Sequence, residues 1–215
     1  GSVHFSIAHS TVTDVSAASY DLISVALSNL HLAVGTTSIG AQITSGNLTL
    51  ALLAPTLSTD GRRWFGLTSS GLSASLILPS ITAGVANLAV DVNQASGGAT
   101  TIDWSTLSTD PFGTTALAGD QLRAEGDLVN LSIFGILRGS APVAFARETV
   151  DVKIGSTTLS GATLVSFSLS LGSGQTLTAG VAGTLGLTIT DGTLLVAAIA
   201  PAAAGDARRW LAVQG

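Results

Sequence analysis

The chain contains one 25-residue block twice, and this duplication limits its architecture more than any other feature. Residues 40–64 and 186–210 align without a gap at an offset of 146 residues. Their 12 identical positions include an Ala-Pro pair and the triplet Arg-Arg-Trp. Chance matches among Ala, Leu, Ser and Thr are expected in this composition, but a matched triplet of rare residues is not. We therefore interpret the block as part of a tandem repeat.

A weaker match extends the repeat upstream if a gap is allowed. Residues 3–7 (VHFSI) resemble residues 165–169 (VSFSL) at an offset of 162, so the first copy carries 16 extra residues around Thr13 to Leu30, about one hairpin. Gly1-Ser2 resembles a tag remnant. The sequence thus predicts a complete unit at 3–164 and the truncated start of a second at 165–215. In that second copy we expect Trp210, near the cut end, to have lost its natural partners.

Composition argues against two classes of protein. The longest apolar run, 194–204, is about half the length of a membrane-spanning helix and contains Pro201, so we expect no transmembrane segment despite a mean hydropathy of +0.56. The net charge is −5 and the 8 basic residues are scattered, whereas a nucleic-acid binder needs a basic surface. We therefore expect no nucleic-acid partner.

Alternation of apolar and polar residues predicts an all-β fold with little or no helix. It is clear at Leu48–Leu52, Leu88–Val92 and Val165–Leu171, between Gly, Asn, Asp and Ser turns. The pattern does not choose between a sandwich, a barrel and a solenoid-like tube. The Ala-rich segment 197–209 is predicted as a strand and a loop, because its counterpart 51–63 contains Pro55 and Gly61. The acidic stretch 103–127 is predicted as a long surface loop.

The repeated triplet is the principal candidate site. It comprises Arg62, Arg63 and Trp64 in the first copy and Arg208, Arg209 and Trp210 in the second. One interpretation is a ledge on which the indole stacks on a sugar and the guanidinium groups bind an acidic polymer. The other, which recurrence at the repeat spacing favours, is a structural contact between strands or repeats, with Arg stacked on Trp and paired with Asp60 or Asp206.

Metal and catalytic sites receive little support. Asp103, Asp110, Asp120 and Asp127 could supply oxygen ligands to calcium, but their loose spacing favours solvated loop acids. His4 and His9 are five apart, which places them on opposite faces of a strand, and His31 lies between two leucines; we expect no zinc site. No local signature marks a nucleophilic serine, so we expect no enzyme and no cofactor.

The chain resembles the tandem β-rich repeats of giant bacterial secreted or surface proteins of the adhesin type. The resemblance is carried by the blocks Gly46–Pro55 and Gly192–Pro201, the Arg-Arg-Trp triplets, residues 86–104 and residues 123–135. It implies an extracellular or cell-surface location and a mostly structural role, and it implies no catalytic residue. The calcium-binding nonapeptide of related giants is absent from this sequence.

Two functions follow as expectations. The first is a non-enzymatic structural repeat that assembles with neighbouring repeats, or with copies of itself, into a stalk, tube or fibre, with stability drawn partly from its neighbours. The alternative is a binding module for carbohydrate, through the Trp residues, or for lipid, through an apolar groove.

Overall fold

A computed structural model describes residues 2–113, 117–172, 174–181, 184–203 and 205–215. Gly1 of the predicted tag remnant and residues 114–116 of the predicted loop lie outside this range. The thirteen strands within it are β1 (His4–Thr13), β2 (Ser19–Ser28), β3 (Leu32–Gly35), β4 (Gly40–Pro55), β5 (Arg63–Leu78), β6 (Ile81–Ser96), β7 (Gln121–Ile133), β8 (Leu137–Ile154), β9 (Thr157–Leu171), β10 (Leu177–Val181), β11 (Leu185–Ile189), β12 (Gly192–Ala200) and β13 (Trp210–Gln214).

All thirteen strands belong to one open antiparallel sheet, which confirms the predicted all-β class. The main path runs β1-β2-β4-β5-β6-β7-β8-β9-β12-β13. Two short strands join the sheet beside it, since β3 pairs with β4, and β10 pairs with both β8 and β11. Because the path ends at β1 on one side and β13 on the other, the strands do not close into a barrel. The only helical segment among the described residues is a 3₁₀ turn, Trp104–Thr106.

Most long strands contain a bulge, and several bulges are built on left-handed residues. Asn87 in β6 and Asn130 in β7 have φ angles of 54° and 53°, and each lies where the strand pairing shifts register. Asn tolerates this conformation better than most residues, and a bulge increases the local twist of a strand. Asn87 and Asn130 therefore mark bulges inside their strands.

The hydrophobic core lies at one end of the sheet, between β1, β2, β4 and β5 on one side and the connection from β6 to β7 on the other. We call the described residues of this connection, 97–113 and 117–120, the plug segment. It contributes four buried side chains to the core, Trp104, Leu107, Phe112 and Leu117. The sheet contributes six, Val12, Tyr20, Leu22, Ala51, Leu53 and Trp64.

The prediction of a surface loop at 103–127 is therefore only partly right. The described residues of this segment before Gln121 form no strand, but β7 begins at Gln121. Its carboxylates are half-buried or exposed, whereas Trp104, Leu107, Phe112 and Leu117 lie in the core. The sequence pattern did not predict that these side chains are buried, because they follow neither a period of two nor a period of 3.6.

No described helix is long and apolar enough to cross a membrane.

Candidate interaction surface: two equivalent corners of the sheet

The two Arg-Arg-Trp triplets form the same local structure twice. We call Asp60 with Arg62–Trp64 the first corner, and Asp206 with Arg208–Trp210 the second. In each corner the Asp carboxylate accepts hydrogen bonds from the backbone N–H and the guanidinium of the first Arg. The closest guanidinium contact, from Nη2 to Oδ2, is 2.6 Å in both.

The second Arg and the Trp complete this shared geometry. In each corner Nη1 of the second Arg donates to the Asp carbonyl, at 2.9 Å from Arg63 and 3.0 Å from Arg209. The guanidinium carbon of the first Arg lies 5.5 Å from the ring centroid of Trp64 and 5.6 Å from that of Trp210. These distances are in the range of a cation–π contact. The sequence block therefore specifies its own turn, without help from neighbouring elements.

Hydrogen bonds from the Arg side chain hold both Asp carboxylates in the ionised form. Those from Arg62 lower the pKa of Asp60, and those from Arg208 lower the pKa of Asp206 to about 2. The side chains remain about a fifth exposed, at 21% for Asp60 and 19% for Asp206. The charge pairs thus lie at the rim of each corner, where they orient the Arg side chain over the indole.

Strand pairing shows that the equivalence extends beyond the triplet. The first corner joins β4 to β5, with Leu53 opposite Trp64; the second joins β12 to β13, with Ile199 opposite Trp210. On the other side, β4 pairs with β2 through Leu53 and Leu22, and β12 pairs with β9 through Ile199 and Leu164. The order β2-β4-β5 is thus repeated as β9-β12-β13.

The short strands repeat as well. Gly35 of β3 lies opposite Gly40, and Gly180 of β10 lies opposite Gly186. Both Gly35 and Gly180 adopt positive φ, 111° and 143°, with neighbouring backbone so close that a Cβ could not fit. Such sites accept glycine alone. The hairpin entering the repeated block is therefore built in the same way in both copies.

This pairing favours an upstream correspondence different from the one the gapped sequence match predicts. The gapped match aligns β1 with β9, whereas the sheet places β9 in the position of β2 and β8 in that of β1. The register aligns residues 19–28 with 161–170, where Leu22, Ser24 and Leu27 meet Leu164, Ser166 and Leu169. Residues 164 and 165 lie within β9, and the division of the chain there stays a prediction.

The two corners differ in what covers them. Trp64 is 5% exposed; its Nε1–H donates to the carbonyl of Thr100 in the plug segment at 2.8 Å, and its ring makes an edge contact with Tyr20 at 5.4 Å. Trp210 is only half-buried, and no described residue accepts from its indole N–H. Trp210 therefore has fewer contacts than Trp64 among the described residues, and the expectation that it has lost natural partners stays a prediction.

The uncovered area is wider than the indole. Leu22, Ala51 and Leu53 are buried beneath the plug segment, whereas their counterparts Leu164, Ala197 and Ile199 are only half-buried and Ala212, the counterpart of Gly66, is exposed. We call the side of β9, β12 and β13 that carries Leu164, Ala197, Ile199, Trp210 and Ala212 the second face. Ala197 and Ala212 also line a concavity of ≈ 680 Å³, together with Ala, Ser and Phe residues of β8 and β9 and with Arg123 and Glu125 of β7.

The four acidic candidates for calcium do not form a cluster, and each carboxylate already accepts a local hydrogen bond. Asp103 accepts from Ser105 at the 3₁₀ turn, and Asp110 from the backbone N–H of Phe112. Asp120 accepts from the hydroxyl of Thr149, and Asp127 from the amide of Asn87. Among the residues that the structure describes, no three acidic or histidine side chains form a metal cluster. These carboxylates stabilise turns and strand pairs.

Comparisons with protein families, with curated proteins and with solved structures find no match for this chain.

Proposed function

We propose that the chain is a non-enzymatic structural repeat module of a large extracellular bacterial protein, which forms a stalk, tube or fibre. The observation that supports this most is the repetition of β2-β4-β5 as β9-β12-β13 inside one continuous sheet. A repeat that adds strands to an existing sheet lengthens the molecule in one direction. Each unit then contacts its neighbours chiefly through backbone hydrogen bonds and the core beside them.

The surface of the sheet also suits a role in assembly. Large hydrophobic side chains are exposed along the outer strand β1, at Phe5 and Ile7, and along β13, at Leu211 and Val213. Natural proteins usually protect exposed sheet edges, because an unpaired apolar strand is a template for pairing with another chain. Here the two outer strands carry little charge, which favours contact with further strands of the same kind.

The proposal is tested with chains that contain one, two and three copies of the unit. If neighbouring units stabilise one another, the melting temperature and the steepness of unfolding rise with copy number, and circular dichroism with calorimetry measures both. A melting temperature that does not change with copy number contradicts the proposal. A matched series with Gly-Ser spacers between units, which breaks the continuity of the sheet, should lose the increase.

The alternative function, an apolar-ligand module, rests on the concavity of ≈ 680 Å³ near the second face. It is lined mainly by Ala, Ser and apolar side chains, with Arg123 and Glu125 at one side, and its volume is in the range of ligand pockets. Mass spectrometry of organic extracts from the purified protein tests it, and co-purified lipid at about one molecule per chain is the expected result. The carbohydrate version is weaker, because the Trp64 ring is buried and Arg208 lies over the Trp210 ring.

A further inference from the structure

The plug segment covers the first corner closely. The plug segment lies on Trp64 and Gly66 so closely that a Cβ at Gly66 would be 2.6 Å from Cζ of Phe112 and 2.9 Å from Cε2 of Trp104. This packing leaves Ala51 fully buried. The second face carries Trp210 and Ala197 at the equivalent positions, with Ala212 in place of Gly66, and it has no such cover among the described residues.

The outer edge of the second face also lacks what the first corner has. Strand β5 pairs on one side with β4 and on the other with β6, from which the plug segment continues. Strand β13 pairs with β12, and no described strand pairs with its other edge. A partner that supplied both a strand and a plug would complete the edge and the face together, as in β-strand addition.

We infer that the second face binds a strand followed by an aromatic plug, with the chemistry of residues 89–113, supplied by another repeat unit of this kind. The inference rests on the proposed function in that its partner is a repeat unit. The strand pairs antiparallel with β13, as β6 pairs with β5. The two aromatic rings then lie on Ala197 and Ala212.

Most polar contacts of the plug lie within residues 89–113, which supports this partner. Two exceptions are the backbone N–H of Trp104, which donates to the carbonyl of Leu117, and Ser108, which bonds to the backbone of Thr13. Trp104 Nε1–H donates to Oδ1 of Asn93 at 2.9 Å, and Nδ2 of Asn93 donates to the carbonyl of Ile102 at 2.8 Å. These buried groups remain paired when the segment binds elsewhere. The carbonyl of Thr100, which accepts from Trp64, meets the same need of Trp210.

The residue at position 212 differs from its counterpart in the first corner, and this difference lowers the affinity expected at the second face. Ala212 stands where the first corner has Gly66, and its methyl group occupies the space that Phe112 and Trp104 take in the first corner. The rings must therefore shift outward on the second face. Replacing Ala212 by Gly removes this obstruction, so Ala212→Gly should tighten binding, whereas Ala33→Gly, at an exposed position of β3, should not.

The experiment adds an unlabelled peptide of residues 89–113 to the ¹⁵N-labelled full chain and follows backbone and indole resonances. The expected result is saturable shifts in β13 and at the Trp210 indole, about tenfold weaker binding to Trp210→Ala, and tighter binding to Ala212→Gly. A peptide with Trp104→Ala and Phe112→Ala should bind at least tenfold more weakly. Circular dichroism checks that each variant is folded.

Two results would overturn the inference. One is no saturable shift at about 1 mM peptide, the limit of weak specific binding. The other is binding that is unchanged in Trp210→Ala and shifts the Trp64 indole, which would mean exchange at the first corner. Either result leaves the proposed structural function standing if melting temperature still rises with copy number; if that increase is also absent, the proposed function fails as well.

Discussion

The indole N–H of Trp104 donates to Oδ1 of Asn93 at 2.9 Å, and neither side chain is exposed to solvent. Through this contact, strand β6 holds the plug segment that follows it against the sheet. The other end of the amide donates to the carbonyl of Ile102 at 2.8 Å, so one side chain satisfies two buried polar groups of the plug segment. Asn93 thus links the strand, the plug segment and the core.

Replacing Asn93 by Ala should destabilise the fold strongly. The indole N–H of Trp104 and the carbonyl of Ile102 would both be left without partners, and each buried unpaired group costs about 1–3 kcal/mol. Urea unfolding followed by Trp fluorescence measures the loss. Asn47→Ala, at an exposed position of β4, is the control and should change the free energy of unfolding little. Equal effects of the two substitutions would show that the buried contact contributes nothing.

The two corner tryptophans should differ in their contribution to stability, although their local geometry is the same. Trp64→Ala removes an indole packed in the core and should cost about 3–5 kcal/mol. Trp210→Ala removes a half-buried ring and should cost about 1 kcal/mol or less. Each variant is the control for the other, and calorimetry measures the loss of unfolding free energy in both. If both lost the same free energy, the plug segment would not stabilise the first corner.

Gly66 should not tolerate a side chain. A Cβ there would lie 2.6 Å from Phe112 and 2.9 Å from Trp104, so the plug segment must move outward, at about 1–3 kcal/mol for overpacking. Gly186→Ala, in β11, is the matched control, because the nearest atom to its Cβ is 3.9 Å away. Denaturant midpoints distinguish them, and near-ultraviolet circular dichroism should report displaced Trp104 only in Gly66→Ala.

The corner carboxylates should titrate at unusually low pH. Hydrogen bonds from Arg208 lower the pKa of Asp206 to about 2 from a reference of 3.8, so the folded state holds its proton less tightly than the unfolded state does. The resulting stabilisation is fully present above pH 3.8 and is lost as pH falls through about 2.

Carboxyl ¹³C chemical shifts measure the Asp206 titration directly. In Arg208→Gln the midpoint should rise toward the reference value, since the charged hydrogen-bond donor is gone. Asp60 should respond in the same direction to Arg62→Gln. An Asp206 midpoint that does not move in Arg208→Gln would show that the pair does not form in solution.

Calcium should have no effect on stability. Each of Asp103, Asp110, Asp120 and Asp127 already accepts a local hydrogen bond, and the described residues contain no cluster of three potential ligands. The melting temperature should therefore be the same in millimolar calcium and in excess chelator. An increase of several degrees in calcium would point to ligands that the described residues do not reveal.

The sequence could predict the strands and the corners because their signals are local. Alternation at Leu48–Leu52 and Val165–Leu171 identifies β4 and β9, and the residues that form each corner lie within five positions of one another. The Ala-rich segment at 197–209 was resolved by comparison with 51–63, since β12 ends at Ala200 and an irregular segment follows. The duplicated block thus allowed the preference for a strand followed by a loop to be judged from two sequences instead of one.

The plug segment was beyond prediction because its partners are distant in sequence. Trp104 and Phe112 lie among acidic residues in an irregular stretch, and nothing local indicates that they pack on Gly66 or that Asn93 accepts from an indole. The glycine at 66 was the available signal, as it interrupts a strand pattern where another group approaches closely.

By itself, the sequence determined that the chain is all-β and that a block recurs, and it favoured a contact of Arg with Trp and Asp in each copy. These properties depend on side-chain alternation and on contacts within a few residues. Only the tertiary structure decided that the strands form one open sheet, that β9 stands where β2 does, and that Trp64 is covered while Trp210 is not. These depend on which strands pair across the sheet and on where the plug segment packs, and both are set by contacts between residues far apart in the chain.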